Sequence, residues 1–101
     1  MDEDLRFEWD AKKAASNKRK HGISFELATR IFADPFVYEL EEGNEHGEIR
    51  YRAVGETLGQ LLFVSYASFR EGGQEVIRII SARKAEPKER RAYQRNFRSQ
   101  P

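Results

Sequence analysis

The hydrophobic period of this sequence changes between residues 76 and 93, and that change limits the folds open to the chain. Residues 76–80 are β-branched apart from Arg78, and branched side chains favour a strand on a covered sheet surface. Pro87 then favours the first turn of a helix, where its missing N–H costs nothing. The pattern predicts a buried strand followed closely by a C-terminal helix.

Polar and cationic residues lie where this strand ends, since Ser81, Arg83 and Lys84 follow it at once. The basic helix is predicted to leave from the same point. Guanidinium groups and the N–H groups of a helix start both bind anions, and phosphate is the obvious one. We therefore expect an anion-binding corner between the strand and the helix.

Composition restricts the class of protein. With 101 residues, 39% of them hydrophobic, and no cysteine, the chain suits a single domain, residues 1–101, without disulfides or thiolate metal sites. No apolar run is long enough to cross a bilayer, and the acidic residues 2–4 are the opposite of a signal peptide. These features predict a cytoplasmic protein without membrane association.

The net charge of +1 conceals two halves of opposite sign. Residues 1–48 carry 7 Lys and Arg against 12 Asp and Glu, whereas residues 49–101 carry 11 against 5. A basic half points to a nucleic-acid partner, because bound phosphates release counterions. A merely solvated surface of mixed charge is the alternative.

Period and turn residues predict the order of elements along the chain. Two helices joined by a short connection should pack as a hairpin, and the strands that follow one another should form an antiparallel meander. The predicted strands cover residues 5–9, 36–40, 48–54, 61–67 and 76–80, and the predicted helices cover 11–20, 24–32 and 87–97. The result is an α+β domain with a short N-terminal strand, a two-helix hairpin, an antiparallel β-meander and a C-terminal helix. Its helices are expected on one face of the sheet.

A series of short motifs extends along almost the whole chain. They are Phe7-Glu8-Trp9-Asp10, Lys20-His21-Gly22, Ser24-Phe25-Glu26, Asp34-Pro35, Glu48-x-Arg50, Gly55, Val64-x-Tyr66, residues 78–85, Glu89-Arg90 and Tyr93. In this order they resemble the BrnT toxins of bacterial type II toxin–antitoxin pairs.

The resemblance implies a RelE-like fold and an endoribonuclease that inhibits translation and arrests growth. It also implies neutralisation by a DNA-binding, BrnA-like antitoxin, with which the toxin forms a hetero-oligomer and through which alone it contacts DNA. No cofactor or metal is expected. The alternatives are a non-catalytic module that binds RNA or protein, and a degenerate toxin that acts only in operon autoregulation.

A metal-free ribonuclease needs a base for the ribose 2′-hydroxyl, cations around the phosphate and an acid for the leaving 5′-oxygen. Arg83 is predicted to clamp the phosphate, because a guanidinium binds two oxygens at once. A salt bridge from Arg83 to Glu89 is the alternative. Arg78 lies mid-strand, where it either reaches the RNA or pairs with Glu48.

Two further residues are catalytic candidates. His21 suits acid–base chemistry because imidazole titrates near neutrality, although a histidine at a helix end can also simply complement the helix dipole. The resemblance adds Tyr93, because RelE-like toxins often place a functional tyrosine on the last helix. The hydroxyl of Tyr93 either faces the phosphate or packs inward.

The remaining candidates are predicted to bind RNA without taking part in the chemistry. They are Lys20, Arg50, Arg52, Ser81, Lys84 and Trp9. Trp9 could stack on a base, and its alternative is a place in the core. The central expectation is that Arg50, Arg78 and Arg83 converge around one phosphodiester.

Overall fold

The computed structural model describes residues 5–99, except for the side chain of Glu45. Five strands and three α-helices occur in this part of the chain. In order, the elements are β1 Leu5–Glu8, α1 Ala11–His21, α2 Phe25–Thr29, a 3-10 turn Arg30–Ala33, β2 Tyr38–Glu45, β3 Glu48–Thr57, β4 Gln60–Glu71, β5 Gln74–Lys84 and α3 Pro87–Ser99. No helix among them is long and apolar enough to span a membrane.

The five strands form one sheet in the order β1-β5-β4-β3-β2. Strands β2 to β5 make the predicted antiparallel meander, and β1 pairs in parallel with the first part of β5. The edge strand β2 carries a bulge between Glu41 and Gly43. The α+β class and the predicted order of elements are confirmed, while the RelE-like layout stays a prediction.

The meander strands are longer than predicted because each turn between them uses only two residues. The turns lie at residues 46–47, 58–59 and 72–73, and all six residues have positive φ. Turns of this kind match the right-handed twist of paired strands. Leu58 has a backbone φ of 49°, in the left-handed region that L-residues with a side chain rarely adopt.

The N-terminal helices begin and end close to the predicted residues. The carboxylate of Asp10 accepts hydrogen bonds from the N–H groups of Lys12 and Lys13 at the start of α1, and Gly22 ends it with φ 74°. Both α1 and α2 pack on β5 rather than closely on each other, so the predicted hairpin is wrong. Ala14 of α1 and Phe25 and Ala28 of α2 pack into the core that lies on this face of the sheet.

The helices cover both faces of the sheet, which corrects the prediction that all of them lie on one face. The main core joins α1 and α2 to one face through Phe25, Ala28, Ile31, Val64 and Ile79, among others. A second apolar cluster lies on the opposite face, where Tyr93 and Ala85 pack with Val54 and with Phe36, Tyr38, Leu61 and Phe63. The helix α3 therefore covers one end of the second face and leaves the rest of it open.

Asn17 ties α1 to the edge of β5. Its amide nitrogen donates to the Ala82 carbonyl at 2.8 Å, and its amide oxygen accepts from the Ala82 N–H at 3.1 Å. The same nitrogen also donates to the carbonyl of Ile23 at 3.0 Å. The side chain thus takes the place of a neighbouring strand where β1 has already ended.

Candidate nucleic-acid interface

Strand register places four arginines on the open face of the sheet. Residues paired across neighbouring strands project to the same face. The pairings form rows across β3, β4 and β5, namely Arg50–Ala67–Arg78, Arg52–Ser65–Ser81 and Val54–Phe63–Arg83. We call the surface of Arg50, Arg52, Arg78 and Arg83 the arginine face.

Small side chains make the floor between these arginines shallow. Ala67 separates Arg50 from Arg78, and Ser65 lies between Arg52 and Ser81. A pocket of about 360 Å³ opens here, lined among others by Glu42, Gly43, Arg50, Arg52, Ser65 and Ile80. The arrangement leaves room for a ligand beside the guanidinium groups.

Arg83 forms the ion pair that was the alternative to a phosphate clamp. Its two terminal nitrogens lie 2.9 and 2.8 Å from the two carboxylate oxygens of Glu89. Its guanidinium also lies over the ring of Phe63, 4.4 Å from the centroid. Arg83 therefore joins β5 to the first turn of α3.

The carboxylate of Glu89, the partner of Arg83, is stabilised in its charged form. Burial alone would raise the pKa of Glu89, but the hydrogen bonds from Arg83 and from the Glu86 N–H outweigh burial and lower that pKa. The Glu86 N–H donates to Glu89 at 2.8 Å, as in the capping box of a helix start. Glu89 thus has a structural task at the beginning of α3.

Arg78 lies between two carboxylates. Its Nε is 3.0 Å from Glu8, and its Nη1 is 2.9 and 3.2 Å from the two oxygens of Glu48. The guanidinium also covers Phe69 at 4.9 Å from the ring centroid. The pairing with Glu48 was one of the two predicted alternatives, and the pairing with Glu8 is additional.

The two arginines of β3 differ in their partners. Arg52 forms an ion pair with Glu42 at 2.5 Å and lies 5.9 Å from the centroid of Phe63. Arg50 has no ion pair with a side chain in the described part of the chain, and its buried Nε has no hydrogen-bond partner there. Arg50 therefore differs from Arg52, Arg78 and Arg83 in having no ion pair among the described side chains.

The arginines do not converge around one point, which corrects the central expectation. Arg78 and Arg83 are five residues apart on one strand, or about 15 Å along it, and they cover different phenylalanines. Arg52 and Arg83 approach Phe63 at one end of the face. Arg50 and Arg78 lie in another row, on strands separated by β4, so their backbones are about 10 Å apart. The sheet thus carries two pairs of guanidinium groups.

The other predicted site residues lie outside this arrangement or on its margin. Lys20 and His21 are exposed at the end of α1, the helix that packs on the other face. Lys84 is exposed at the end of β5. Trp9 packs edge-on against Phe25 at 6.0 Å in the main core, which agrees with its alternative role in packing.

Tyr93 points inward and is 8% exposed. Its hydroxyl donates to Asp34 Oδ2 at 2.8 Å, and the same oxygen accepts the Glu56 N–H at 2.8 Å. Burial, together with the hydrogen bond to Asp34, raises the pKa of Tyr93. A hydroxyl held in this way fastens α3 to the chain that precedes β2.

A family model described as the ribonuclease toxin BrnT of type II toxin–antitoxin systems matches residues 9–89. The chain belongs to this family. No curated protein matches the chain.

The matched segment, residues 9–89, contains the whole arginine face. All four arginines, Glu42, Glu48 and Glu89 lie inside it, whereas Glu8 and most of α3 lie outside. Strand alternation puts Glu48 on the same face as Arg50, and the sequence predicts Glu48 only as a possible partner of Arg78. The structure confirms this pairing.

Proposed function

We propose that this BrnT family member is an endoribonuclease toxin that cleaves RNA on the arginine face. Membership of a family of ribonuclease toxins supports the activity at the level of the family. The single observation that supports this location is Arg50, which has no carboxylate partner among the described side chains and lines a pocket on this face. Its position in one row with Arg78 gives a phosphate two cationic neighbours.

Glu48 is the proposed general base. Its carboxylate is held by Arg78 and lies two residues from Arg50 on the same strand, about 7 Å away along the backbone. It would take the proton of the ribose 2′-hydroxyl, and the 2′-oxygen would attack the neighbouring phosphorus. The P–O5′ bond then breaks and leaves a 2′,3′-cyclic phosphate, so the reaction needs no metal or cofactor.

Other predicted residues are given binding roles in the same proposal. Lys20 and His21 would contact RNA that passes the edge of the sheet, because α1 packs on the face opposite to Glu48. The leaving 5′-oxygen of the phosphate beside Glu48 would take its proton from water. Arg83 would bind the phosphate backbone only after its ion pair with Glu89 is broken. Arg52, Ser81 and Lys84 would bind flanking nucleotides. The RelE-like layout of the fold belongs to this proposal as well.

The biological consequences follow from the type II pairing that the family description states. RNA cleavage would inhibit translation and arrest growth in the cytoplasm. A DNA-binding, BrnA-like antitoxin encoded beside the toxin would neutralise it in a hetero-oligomer and carry the contact with operator DNA. Induction of the toxin should stop growth, and the neighbouring gene product should restore it.

Cleavage of labelled RNA by the purified protein in EDTA tests the proposal directly. Wild type should release fragments ending in a 2′,3′-cyclic phosphate, and RNA with 2′-O-methyl groups should resist cleavage. Glu48→Gln and Arg50→Gln should each lower the rate by about a hundredfold or more. Arg70→Gln, a matched change of an exposed arginine near the β4–β5 turn, should cleave as wild type does.

Other outcomes would contradict the proposal in different ways. RNA binding without cleavage by a folded wild-type protein would favour a non-catalytic module, a reading that the internal ion pairs of Arg52, Arg78 and Arg83 also allow. Full activity in Glu48→Gln would remove Glu48 from the mechanism. Absence of growth arrest on induction would favour a toxin retained only for autoregulation.

A further inference from the structure

The outer side of α3 carries four cations in one stripe. Lys88, Arg91, Arg95 and Arg98 are exposed, and their spacings of three and four residues place them on one side of a helix. Tyr93, on the opposite side, is buried. At a rise of about 1.5 Å per residue, the stripe is about 15 Å long.

The cations of this α3 stripe are not neutralised within the described part of the molecule. None of the four forms an ion pair with a described side chain, in contrast to Arg52, Arg78 and Arg83 on the sheet. Like charges at spacings of three and four residues destabilise a helix. The helix dipole favours a cation in the last turn, such as Arg98, but it does not account for Lys88 and Arg91 nearer the start of α3.

The α3 stripe begins at the arginine face. Lys88 and Arg52 line the same groove of about 250 Å³ between α3 and the sheet, together with Tyr38, Leu40 and Phe63. From there the remaining cations lead away along α3. Most of the stripe lies beyond residue 89, where the match to the family model ends, so it is a feature of this chain and not of the matched segment.

We propose that the α3 stripe binds the phosphate backbone of the RNA strand that flanks the cleavage site. The inference rests on the proposed function for the place of cleavage, and it adds a second region of contact. Cations spaced along an exposed helix neutralise phosphates without reading base sequence. Long RNA should consequently bind more tightly than short RNA, and the difference should decrease as salt increases.

The triple variant Arg91→Gln, Arg95→Gln, Arg98→Gln tests the inference, because glutamine keeps helix propensity while removing charge. Binding is measured by fluorescence anisotropy with 2′-O-methyl RNAs of about 20 and about 4 nucleotides, between roughly 50 and 200 mM salt. For the long RNA, affinity should fall about tenfold or more, and the slope of log affinity against log salt should decrease by about 2. Binding of the short RNA and the rate of its cleavable counterpart should not change.

A matched control separates the α3 stripe from overall charge. The variant Lys12→Gln, Lys13→Gln, Arg19→Gln removes three exposed cations from α1, and it should keep both the affinity and the salt slope. An equal loss in this control would overturn the inference, as would unchanged RNA binding in the α3 variant. Weaker binding of the antitoxin with RNA binding intact would also overturn it, in favour of an acidic protein surface.

Two further measurements keep the test independent of folding and of catalysis. Circular dichroism and the thermal midpoint report whether the triple variant folds. If it does not fold, the single variant Arg95→Glu replaces it and should lower the affinity for the long RNA. The binding measurement needs no cleavage, because the 2′-O-methyl group blocks it. A protein that binds long RNA through α3 but never cleaves would refute the proposed function, while the contact between the α3 stripe and RNA would remain.

Discussion

Arg83 and Glu89 form a two-point ion pair between β5 and α3, with N–O distances of 2.9 and 2.8 Å. The pair is partly shielded, since the two side chains are 29% and 18% exposed. Arg83→Met should therefore destabilise the protein by about 1–3 kcal/mol, because it leaves the Glu89 carboxylate without its strongest donor. Urea unfolding gives this free energy.

The double variant Arg83→Met, Glu89→Met distinguishes a structural arginine from a phosphate clamp. Removal of both charges should recover part of the lost stability, since no unpaired carboxylate is left, although the Glu86 N–H also loses its acceptor. If Arg83 also binds RNA, cleavage should stay impaired in this stable double variant. Cleavage at the wild-type rate would show that Arg83 acts only through α3.

The same ion pair should make stability depend on pH. Because the pKa of Glu89 is lowered in the folded state, its contribution is fully present above the ordinary glutamate value, about 4.3. The contribution is lost as pH falls through the folded-state pKa. The difference in unfolding free energy between wild type and Glu89→Gln should shrink as pH falls below about 4.3. A difference that stays constant down to acid pH would contradict this account.

Asn17 should be worth more to stability than its position on a polar helix suggests. Asn17→Leu keeps the volume but leaves the N–H and carbonyl of Ala82 and the carbonyl of Ile23 without their partner. A loss of about 2–4 kcal/mol is expected, because unsatisfied buried polar groups are costly. Amide exchange at Ala82 should accelerate, whereas Ser16→Ala, an exposed neighbour, should change stability by less than about 0.5 kcal/mol.

Tyr93→Phe separates an anchoring tyrosine from a catalytic one. The change removes only the hydroxyl that donates to Asp34, so it should cost about 1 kcal/mol of unfolding free energy. The rate of RNA cleavage per folded molecule should not change, because the hydroxyl is already engaged and its pKa is raised. A fall in rate of a hundredfold at unchanged stability would restore Tyr93 to the mechanism.

Local sequence patterns predicted those features of the fold that depend on residues close together in the chain. The alternation of Ile49, Tyr51 and Ala53 identified β3, and the Arg83–Glu89 pair, separated by six residues, was foreseen as an alternative. The face of the sheet that α3 covers was not foreseen. It depends on contacts such as Tyr93 with Asp34, which are 59 residues apart, and periodicity carries no signal for them.

In the candidate site, too, local features were predictable from the sequence and contacts between distant residues were not. Strand alternation could place Arg50 and Arg52 on one face, but it could not pair Arg78 with Glu8, which lies 70 residues away in sequence. The expectation of one convergent cluster failed because β5 spreads Arg78 and Arg83 along its length. Register across three strands, which only the folded molecule provides, determines which guanidinium groups are neighbours.

The two edges of the sheet have different consequences for association between copies of this chain. The edge strand β1 is only four residues long, and Asn17 occupies backbone groups of β5 beyond it, whereas the edge strand β2 is eight residues long and has no strand beyond it among residues 5–99. Glu39, Glu41 and Glu42 lie on β2, together with a bulge. Edge-to-edge pairing of two molecules would bring carboxylates together on a distorted ladder, so the protein is protected against aggregation through its open edge.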